Sequence, residues 1–328
     1  MLPTGFVDLQ VNGFLGVSFS APDLTEDDAA RACRELLARG NAAFLPTIVT
    51  GPEEMYRRNL PLLARLLARG EFSGRLLGLH IEGPFLSAKP GAVGAHNPAW
   101  VRAPDPGLLE RMQEWAEGRV RFLTIAADQP GAEELARRAV KLGMAVSLGH
   151  HLANSADLAR LAEAGARALT HLGNGVPNEV HRHLNPIWAG LAEDRLTALL
   201  ISDGHHLPRE VLQVMIRAKG VARVGIVSDA SPIAGMPPGK YHTLDQEIVL
   251  EPSGLLHNPA KKCLVGSSAT MFQCMNVLAG LRLFSAEELW AMGFFNPLKL
   301  IGVDAEKVAP GVPRVVYDGN AAQFRLSS

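Results

Sequence analysis

The chain alternates short apolar runs with longer segments of helical periodicity, and it does so eight times. The predicted strands are residues 6–11, 42–48, 76–81, 120–125, 144–148, 168–170, 198–201 and 224–227. Short runs that stay apolar rather than alternating are typical of a parallel sheet covered on both faces. The predicted helices between them are residues 26–39, 53–69, 108–117, 132–142, 155–164 and 208–219. Eight strands joined by helical crossovers favour a closed (β/α)8 barrel of the TIM type over an open doubly wound sheet.

The pattern changes after the eighth predicted strand. A Pro/Gly-rich stretch at 232–239 leads into apolar text at 247–250 and a Pro-Ser-Gly turn, which predicts a β-hairpin arm near 240–258. Helical text resumes over 268–300, and residues 314–326 predict one or two short strands. We therefore expect a catalytic barrel over residues 1–308 that includes the arm, and a short C-terminal strand segment over 309–328.

Composition narrows the classes of partner. The chain has 328 residues and a formal net charge of -1, so it lacks the basic surface that nucleic acids or anionic membranes attract. Its three cysteines, Cys33, Cys263 and Cys274, include no C-x-x-C pair, and their odd number favours a reducing compartment. The first ten residues lack the basic start of a signal peptide, and no apolar run is long enough to cross a bilayer. We expect a cytoplasmic protein with no nucleic-acid or membrane partner.

Polar side chains lie at the end of several predicted strands. Glu82, His150, His171 and Asp229 end strands three, five, six and eight or follow them directly. Each alone has a structural explanation, because a strand-end Asp commonly caps the next helix and a single His is often only hydrogen-bonded. In a barrel, however, the carboxyl ends of all strands meet at one face, where active sites lie. The four together therefore favour a site.

The residue types at this face indicate a metal-dependent hydrolase. One carboxylate and two imidazoles, from Glu82, His150 and His171, suit one divalent ion; zinc is the first choice, with iron, cobalt or manganese as alternatives. Three protein ligands leave a coordination position open for water, and Asp229 can take a proton from that water. Amides are poor ligands for these metals, so Gln10 and Asn12 on the first strand favour a single metal. They would position the water or hold the loop.

Several longer strings in the sequence resemble one enzyme family. GFVDLQVNG, HIEGPFLSAKPGAVGAHNP, SLGHHLAN, THLGNGVP, SDGHHL and VSDASPIAG are similar to motifs of the N-acetylglucosamine-6-phosphate deacetylases in the amidohydrolase superfamily. The resemblance runs from residue 5 to about residue 308, nearly the whole chain. It implies that the protein hydrolyses the acetamide of N-acetylglucosamine-6-phosphate to give glucosamine-6-phosphate and acetate.

The resemblance also implies a role for individual residues of the reaction centre. Glu82 of HIEGP, His150 of SLGH and His171 of THL would hold the metal. Asp229 of VSDAS would act as general base and then as general acid. His96 of GAHNP would polarise the acetyl carbonyl.

A second set of residues is implied to bind the sugar phosphate. His206 of SDGHH would reach the substrate, and Asn174 with the backbone of Gly175 would meet the phosphate. Arg182 stands where the family has an arginine that pairs with the phosphate, commonly from a neighbouring subunit, which implies a homodimer. A guanidinium suits this task because its planar fork matches phosphate oxygens.

The chain departs from the family pattern at its start. Family members carry an additional N-terminal segment that forms a small β-sandwich with the C-terminal tail, and here the first barrel strand begins almost at Met1. We therefore expect that small domain to be absent or reduced to the tail. The alternatives are a deacetylase for another N-acetyl hexosamine phosphate, such as the galactosamine epimer, a cyclic-amide or N-acyl-amino-acid hydrolase, or a catalytically silent sugar-phosphate binder.

Overall fold

The computed structural model describes residues 3–243 and 246–327. Eight parallel strands form one sheet in chain order, so each strand lies beside its sequence neighbour. They are Phe6–Val11, Asn41–Val49, Leu79–Glu82, Val120–Ile125, Ala145–Leu148, Ala166–Leu169, Thr197–Ile201 and Val224–Val227. The first and last strands meet where Val11 bridges Ala230, and Asp8 accepts hydrogen bonds from the backbone N and Oγ of Ser228 at 3.1 and 2.5 Å. These contacts bring the sheet round to a barrel, and the predicted (β/α)8 fold is confirmed.

Helices cover the outside of the barrel. The α-helices are Glu26–Leu37, Glu53–Ala68, Pro106–Trp115, Ala132–Lys141, Ser155–Glu163, Pro186–Ala192, Arg209–Lys219, Met271–Gly280, Ala286–Trp290 and Asn296–Leu300, with a π-helical stretch at Ala291–Phe295 and 3₁₀ turns at Gly70–Phe72, Pro98–Trp100, Val221–Arg223 and Ala305–Lys307. The short helix after the sixth strand was not predicted, although Asn185 caps it and Pro186 occupies its first turn. Among the helices that the structure describes, none combines the length and apolar character that crossing a membrane requires.

One apolar core joins the barrel to the C-terminal strands. Strands Arg314–Asp318 and Gln323–Ser327 form an antiparallel hairpin, in the region where one or two short strands were predicted. The ring of Phe324 packs edge-on against that of Phe6 in the first barrel strand, with centroids 4.9 Å apart, and also contacts Trp290. The hairpin therefore buries its apolar face against the barrel.

The arm after the eighth strand is larger than the predicted hairpin. It is a four-stranded antiparallel sheet of Gly239–Thr243, Gln246–Leu250, Leu256–Asn258 and Cys263–Leu264. A small apolar cluster of Ile233, Ile248, Leu250, Leu256 and Val265 packs one side of it. The predicted arm near 240–258 stopped before the strand Cys263–Leu264, because two residues are too few to show an alternating pattern. A separate two-strand ribbon, Gly13–Phe14 with Val17–Ser18, follows the first barrel strand.

Candidate active site

A cavity of about 710 Å³ lies at the carboxyl ends of the strands; we call it the main cavity. Nine predicted site residues line it: Asn12, Glu82, His96, His150, His171, Asn174, Gly175, His206 and Asp229. Gln10 is buried beside it, whereas Arg182 is exposed and lies outside its walls. Residues that are up to 217 positions apart in the chain are thus brought into one site by the barrel.

The three predicted metal ligands converge to a point. Oε1 of Glu82 lies 3.0 Å from Nε2 of His171 and 3.3 Å from Nε2 of His150, and the two Nε2 atoms are 3.1 Å apart. Nδ1 of His150 lies 2.8 Å from the carbonyl oxygen of Ala92, which fixes the proton on Nδ1 and leaves Nε2 as a lone-pair donor. Lone-pair atoms this close repel one another unless they share a proton or a cation. The arrangement therefore fits one divalent metal ion.

The electrostatics of the cluster agree with a ligand role. Burial acts to raise the pKa of Glu82, but the adjacent imidazoles of His150 and His171 hold that pKa well below its usual range. Burial acts to lower the pKa of His171, but the hydrogen bond to Glu82 and the negative charges of Glu82 and Asp229 together outweigh it, so this pKa is raised. An ionised carboxylate between two imidazoles is the state in which a metal can replace the shared protons.

The backbone is strained at three of the site residues. His150, His171 and Asp229 have φ angles of 52°, 31° and 51°. These lie in the left-handed region, which residues other than Gly, Asn and Asp rarely adopt. Such strain costs on the order of 1–3 kcal/mol per residue and clusters at functional sites. Here it turns side chains at the ends of three strands toward the main cavity.

Asp229 is held by the two amides of the first strand. Its Oδ1 accepts hydrogen bonds from Nε2 of Gln10 at 3.0 Å and from Nδ2 of Asn12 at 2.7 Å. Burial raises the pKa of Asp229 to about 6, and the negative charge of Glu82 adds to this. Because both amides bind Oδ1, the lone pairs of Oδ2 are left for another partner. Gln10 and Asn12 thus contact the predicted base, which the sequence did not indicate.

His96 extends the cluster on the side of the long loop after the third strand. Its Nε2 lies 3.2 Å from Nε2 of His150. Burial and the neighbouring His150 lower the pKa of His96 to about 3, so its ring is neutral at physiological pH. A neutral imidazole can donate one hydrogen bond to a carbonyl oxygen without carrying a charge into the cluster.

His206 is oriented by a carboxylate to which the sequence analysis gave no role. Oδ2 of Asp203 lies 2.8 Å from Nδ1 of His206 and accepts a hydrogen bond from Oγ of Ser267 at 2.7 Å. Burial acts to raise the pKa of Asp203, but the bond to His206 lowers it well below its usual range. Nδ1 of His206 therefore carries a proton, and the opposite ring edge is free for a ligand. The i,i+3 spacing of Asp203 and His206 was a usable signal.

The loop after the sixth strand packs closely against the proposed metal ligand His150. A Cβ on Gly175, whose φ is +63°, would lie 2.9 Å from Nδ1 of His150, and one on Gly94 would lie 3.0 Å from Cε1 of the same ring. Both glycines therefore let the main chain pack against the His150 imidazole. Asn174 lines the main cavity beside Gly175, and its Nδ2 lies 3.3 Å from the carbonyl oxygen of His171.

Two further groups line the main cavity from the sheet arm. His257 and Lys262 both contribute to its wall, and Lys262 is exposed. Nothing in their local sequence indicated this, because only the packing of the arm over the barrel mouth brings them there. Lys262 supplies a cation at the rim of the main cavity.

Comparison with known proteins identifies the relatives of this chain. No protein-family model matches it. The N-acetylglucosamine-6-phosphate deacetylase of Bos taurus is 33% identical over 318 residues, covering 94% of this chain and 76% of the relative. The chain belongs to the N-acetylglucosamine-6-phosphate deacetylase family. The resemblance of the strand-end motifs to this family is confirmed.

Other members of the family support the same assignment. The N-acetylgalactosamine-6-phosphate deacetylase of Escherichia coli O157:H7 is 29% identical, over 93% of this chain and 79% of its own length. The structure of the Mycobacterium smegmatis N-acetyl-D-glucosamine-6-phosphate deacetylase in complex with N-acetyl-D-glucosamine-6-phosphate superposes with a TM-score of 0.86 at 28% identity. That match covers 98% of this chain and 86% of the other. This chain therefore has the same barrel fold as that deacetylase.

Proposed function

We propose that this protein hydrolyses the acetamide of N-acetylglucosamine-6-phosphate to glucosamine-6-phosphate and acetate. The observation that carries the proposal is the convergence of Glu82, His150 and His171 beside Asp229 in one cavity, at the strand ends where barrel enzymes place their chemistry. Membership of the deacetylase family supports the reaction type. The cluster also counts against a silent sugar-phosphate binder, because binding alone does not need a strained, convergent ligand set.

Glu82, His150 and His171 would hold one divalent metal ion, for which we propose zinc, with iron, cobalt or manganese as alternatives. When bound, such an ion polarises a carbonyl oxygen and makes water a better nucleophile near neutral pH. The chain's own residues would transfer the proton and bind the acyl oxygen. Oδ2 of Asp229, free of the two amides, takes a proton from the attacking water and then gives it to the leaving nitrogen. His96 donates a hydrogen bond to the acyl oxygen as negative charge develops there.

The sugar phosphate would lie across the cavity toward the sixth strand. Asn174 and the backbone N–H of Gly175 would meet the phosphate, and His206 would present its free ring edge to the sugar; all three residues line the main cavity. In a homodimer, Arg182 would pair with the phosphate of the substrate bound to the neighbouring subunit. Its exposure, and that of the apolar Leu184 and Trp188 beside it, supports this, because exposed apolar groups beside a cation fit a protein interface.

A panel assay tests the proposed function. Acetate release is measured on N-acetylglucosamine-6-phosphate, on its galactosamine epimer and on unphosphorylated N-acetylglucosamine, with and without added divalent metal. We expect the phosphorylated glucosamine compound to be turned over fastest, and only by metal-loaded protein. No acetate release from either phosphorylated sugar would contradict the proposal.

The galactosamine epimer is the second candidate substrate. The relative from Escherichia coli O157:H7 is named for that reaction, at an identity close to those of the glucosamine enzymes. The two sugars differ only in the configuration of the hydroxyl group at C4. Faster turnover of the galactosamine compound in the same assay would favour this candidate. In both cases we propose a cytoplasmic enzyme, in keeping with its three free cysteines.

A further inference from the structure

A second cavity of about 260 Å³ adjoins the main cavity; we call it the second cavity. Val49 and His96 line both, so the two meet at the imidazole proposed to contact the acyl oxygen. The other walls come from the ribbon after the first strand, the end of the second strand and the helix after it, the loops after the third and eighth strands, and the edge of the sheet arm. The function proposed above gives this space no role.

The second cavity lies across the barrel from the proposed phosphate site. The barrel strands follow one another in chain order, so the second strand, which ends at Val49, is four places from the sixth in either direction. Asn174 and Gly175 follow the sixth strand. In an eight-stranded barrel, strands four places apart face each other. The proposed metal ligands Glu82, His150 and His171 therefore lie between the proposed phosphate site and the second cavity.

The chemistry of the substrate class fits this placement. In a hexosamine 6-phosphate, the acylamino group is on C2, and the phosphate is on C6, which is attached to C5. In the pyranose ring C5 lies opposite C2. With the phosphate held near the sixth strand, the acyl group points across the metal cluster toward the second strand. Its carbonyl then meets His96, and any carbon beyond the acetyl methyl enters the second cavity.

We propose that the second cavity is an acyl-chain subsite, and that the enzyme also hydrolyses N-acyl hexosamine phosphates whose acyl group is longer than acetyl, such as propionyl and butyryl. This inference rests on the proposed function. The reaction is the same hydrolysis: the water oxygen bonds to the acyl carbon, the C–N bond breaks, and the nitrogen takes a proton. The products are the longer carboxylate and the free amine.

The lining of the second cavity suits a neutral aliphatic chain. Ala21, Val49, Met55 and Ile233 give it apolar surface, and its polar side chains are mainly hydroxyls, with one amide and two imidazoles. Among the lining residues that the structure describes, none is an Asp, Glu, Lys or Arg. The volume is several times the roughly 30 Å³ that one water occupies in the liquid, so it has room for a few methylene groups.

Binding across a chain-length series tests the proposal without hydrolysis. In an Asp229→Asn background loaded with metal, calorimetry gives the affinity for N-acetyl, N-propionyl and N-butyryl glucosamine-6-phosphate. Burial of each added methylene in the second cavity predicts about fourfold tighter binding per step. Ala21→Leu fills the second cavity and should abolish this gain. Ala99→Leu makes the same change at an exposed residue that lines neither cavity, and should keep it.

Constant or falling affinity along the series would overturn the acyl subsite, as would an equal gain in Ala21→Leu. Turnover of the three compounds by the native protein separates this failure from that of the proposed function. Hydrolysis of the N-acetyl compound alone, with no gain in affinity, removes only the subsite. No hydrolysis of the N-acetyl compound removes the proposed function, and with it this inference.

Discussion

The proposed metal site in the main cavity and the proposed phosphate contact at Arg182, outside that cavity, differ in how firmly the chain holds their side chains; they are called the metal side and the phosphate side. On the metal side, Glu82, His150 and His171 are 3%, 6% and 3% exposed and lie within hydrogen-bond distance of one another. On the phosphate side, Arg182 is exposed on a segment without regular secondary structure. The chain by itself preorganises the groups that would act on the amide, whereas a second subunit or the substrate would have to order the phosphate contact.

The largest effect is expected on the metal side. His171→Ala removes one of three convergent ligands, so we expect loss of bound metal and a fall in turnover to background, more than about a thousandfold. Metal content is measured by elemental analysis of the purified protein, and turnover by acetate release. His183→Ala removes an exposed histidine and should leave both unchanged. A His171→Ala protein with full metal content would show that the cluster is not the metal site.

A loss of substrate affinity is expected on the phosphate side. Arg182→Ala removes a charge-assisted contact of about 1.5–3 kcal/mol, so KM for the phosphorylated sugar should rise about tenfold to a hundredfold. Turnover of unphosphorylated N-acetylglucosamine should not change. Equal losses on both sugars would contradict a phosphate contact.

Mixing two impaired variants tests whether Arg182 acts across a dimer. In a mixed dimer of Arg182→Ala and Asp229→Asn, one site keeps an intact Asp229 and receives the partner's intact arginine. Mixing under conditions that exchange subunits should therefore restore activity above the sum of the two parents. No gain on mixing would place the arginine in its own subunit's site or outside the site.

A smaller effect is expected where the first strand supports Asp229. Asn12→Ala removes the 2.7 Å hydrogen bond to Oδ1, so the carboxylate is less well oriented and kcat should fall about tenfold while KM changes little. Steady-state kinetics separates the two constants. An unchanged kcat with a raised KM would instead assign Asn12 to substrate binding.

The last effect is on stability rather than on turnover, and it concerns Asp8 on the first barrel strand. Burial raises the pKa of Asp8 to about 7, although Ser228 donates to it. Because this pKa lies above that of the unfolded chain, the stabilisation from protonated Asp8 is complete below about pH 4 and is lost as pH rises through about 7. In Asp8→Asn, Oδ1 can still accept from the backbone N–H groups of Gln10 and Ser228, while Nδ2 donates to Oγ of Ser228.

The free energy of unfolding of the native protein should therefore fall relative to that of Asp8→Asn between about pH 4 and pH 7. Urea denaturation at each pH measures the difference. Parallel curves for the two proteins over this range would mean that Asp8 does not titrate there.

The sequence predicted the strands well because each is a continuous apolar run in a barrel wall buried on both sides. Phe6–Val11, Val120–Ile125 and Val224–Val227 have the predicted bounds. The helix Pro186–Ala192 was missed because it is short, although its Asn-Pro start is a usable cap signal. The last strand of the arm, Cys263–Leu264, was missed because two residues carry no measurable periodicity.

The site residues were predictable where they follow a strand and unpredictable where they depend on packing. Glu82, His150, His171 and Asp229 were indicated by position alone, because a barrel gathers its strand ends at one face. The bonds from Gln10 and Asn12 to Asp229 depend on the approach of the first strand to the last, which no local pattern encodes. Lys262 likewise reaches the main cavity only through the packing of the sheet arm.

The central claim is that Asp229 moves the proton in a metal-dependent amide hydrolysis. The most direct test measures metal content and acetate release from N-acetylglucosamine-6-phosphate on the same preparations of native protein and Asp229→Asn. We predict equal metal content and a turnover about a hundredfold to ten-thousandfold lower in Asp229→Asn, the range expected for loss of a general base. Native turnover in a fully metal-loaded Asp229→Asn would contradict the account.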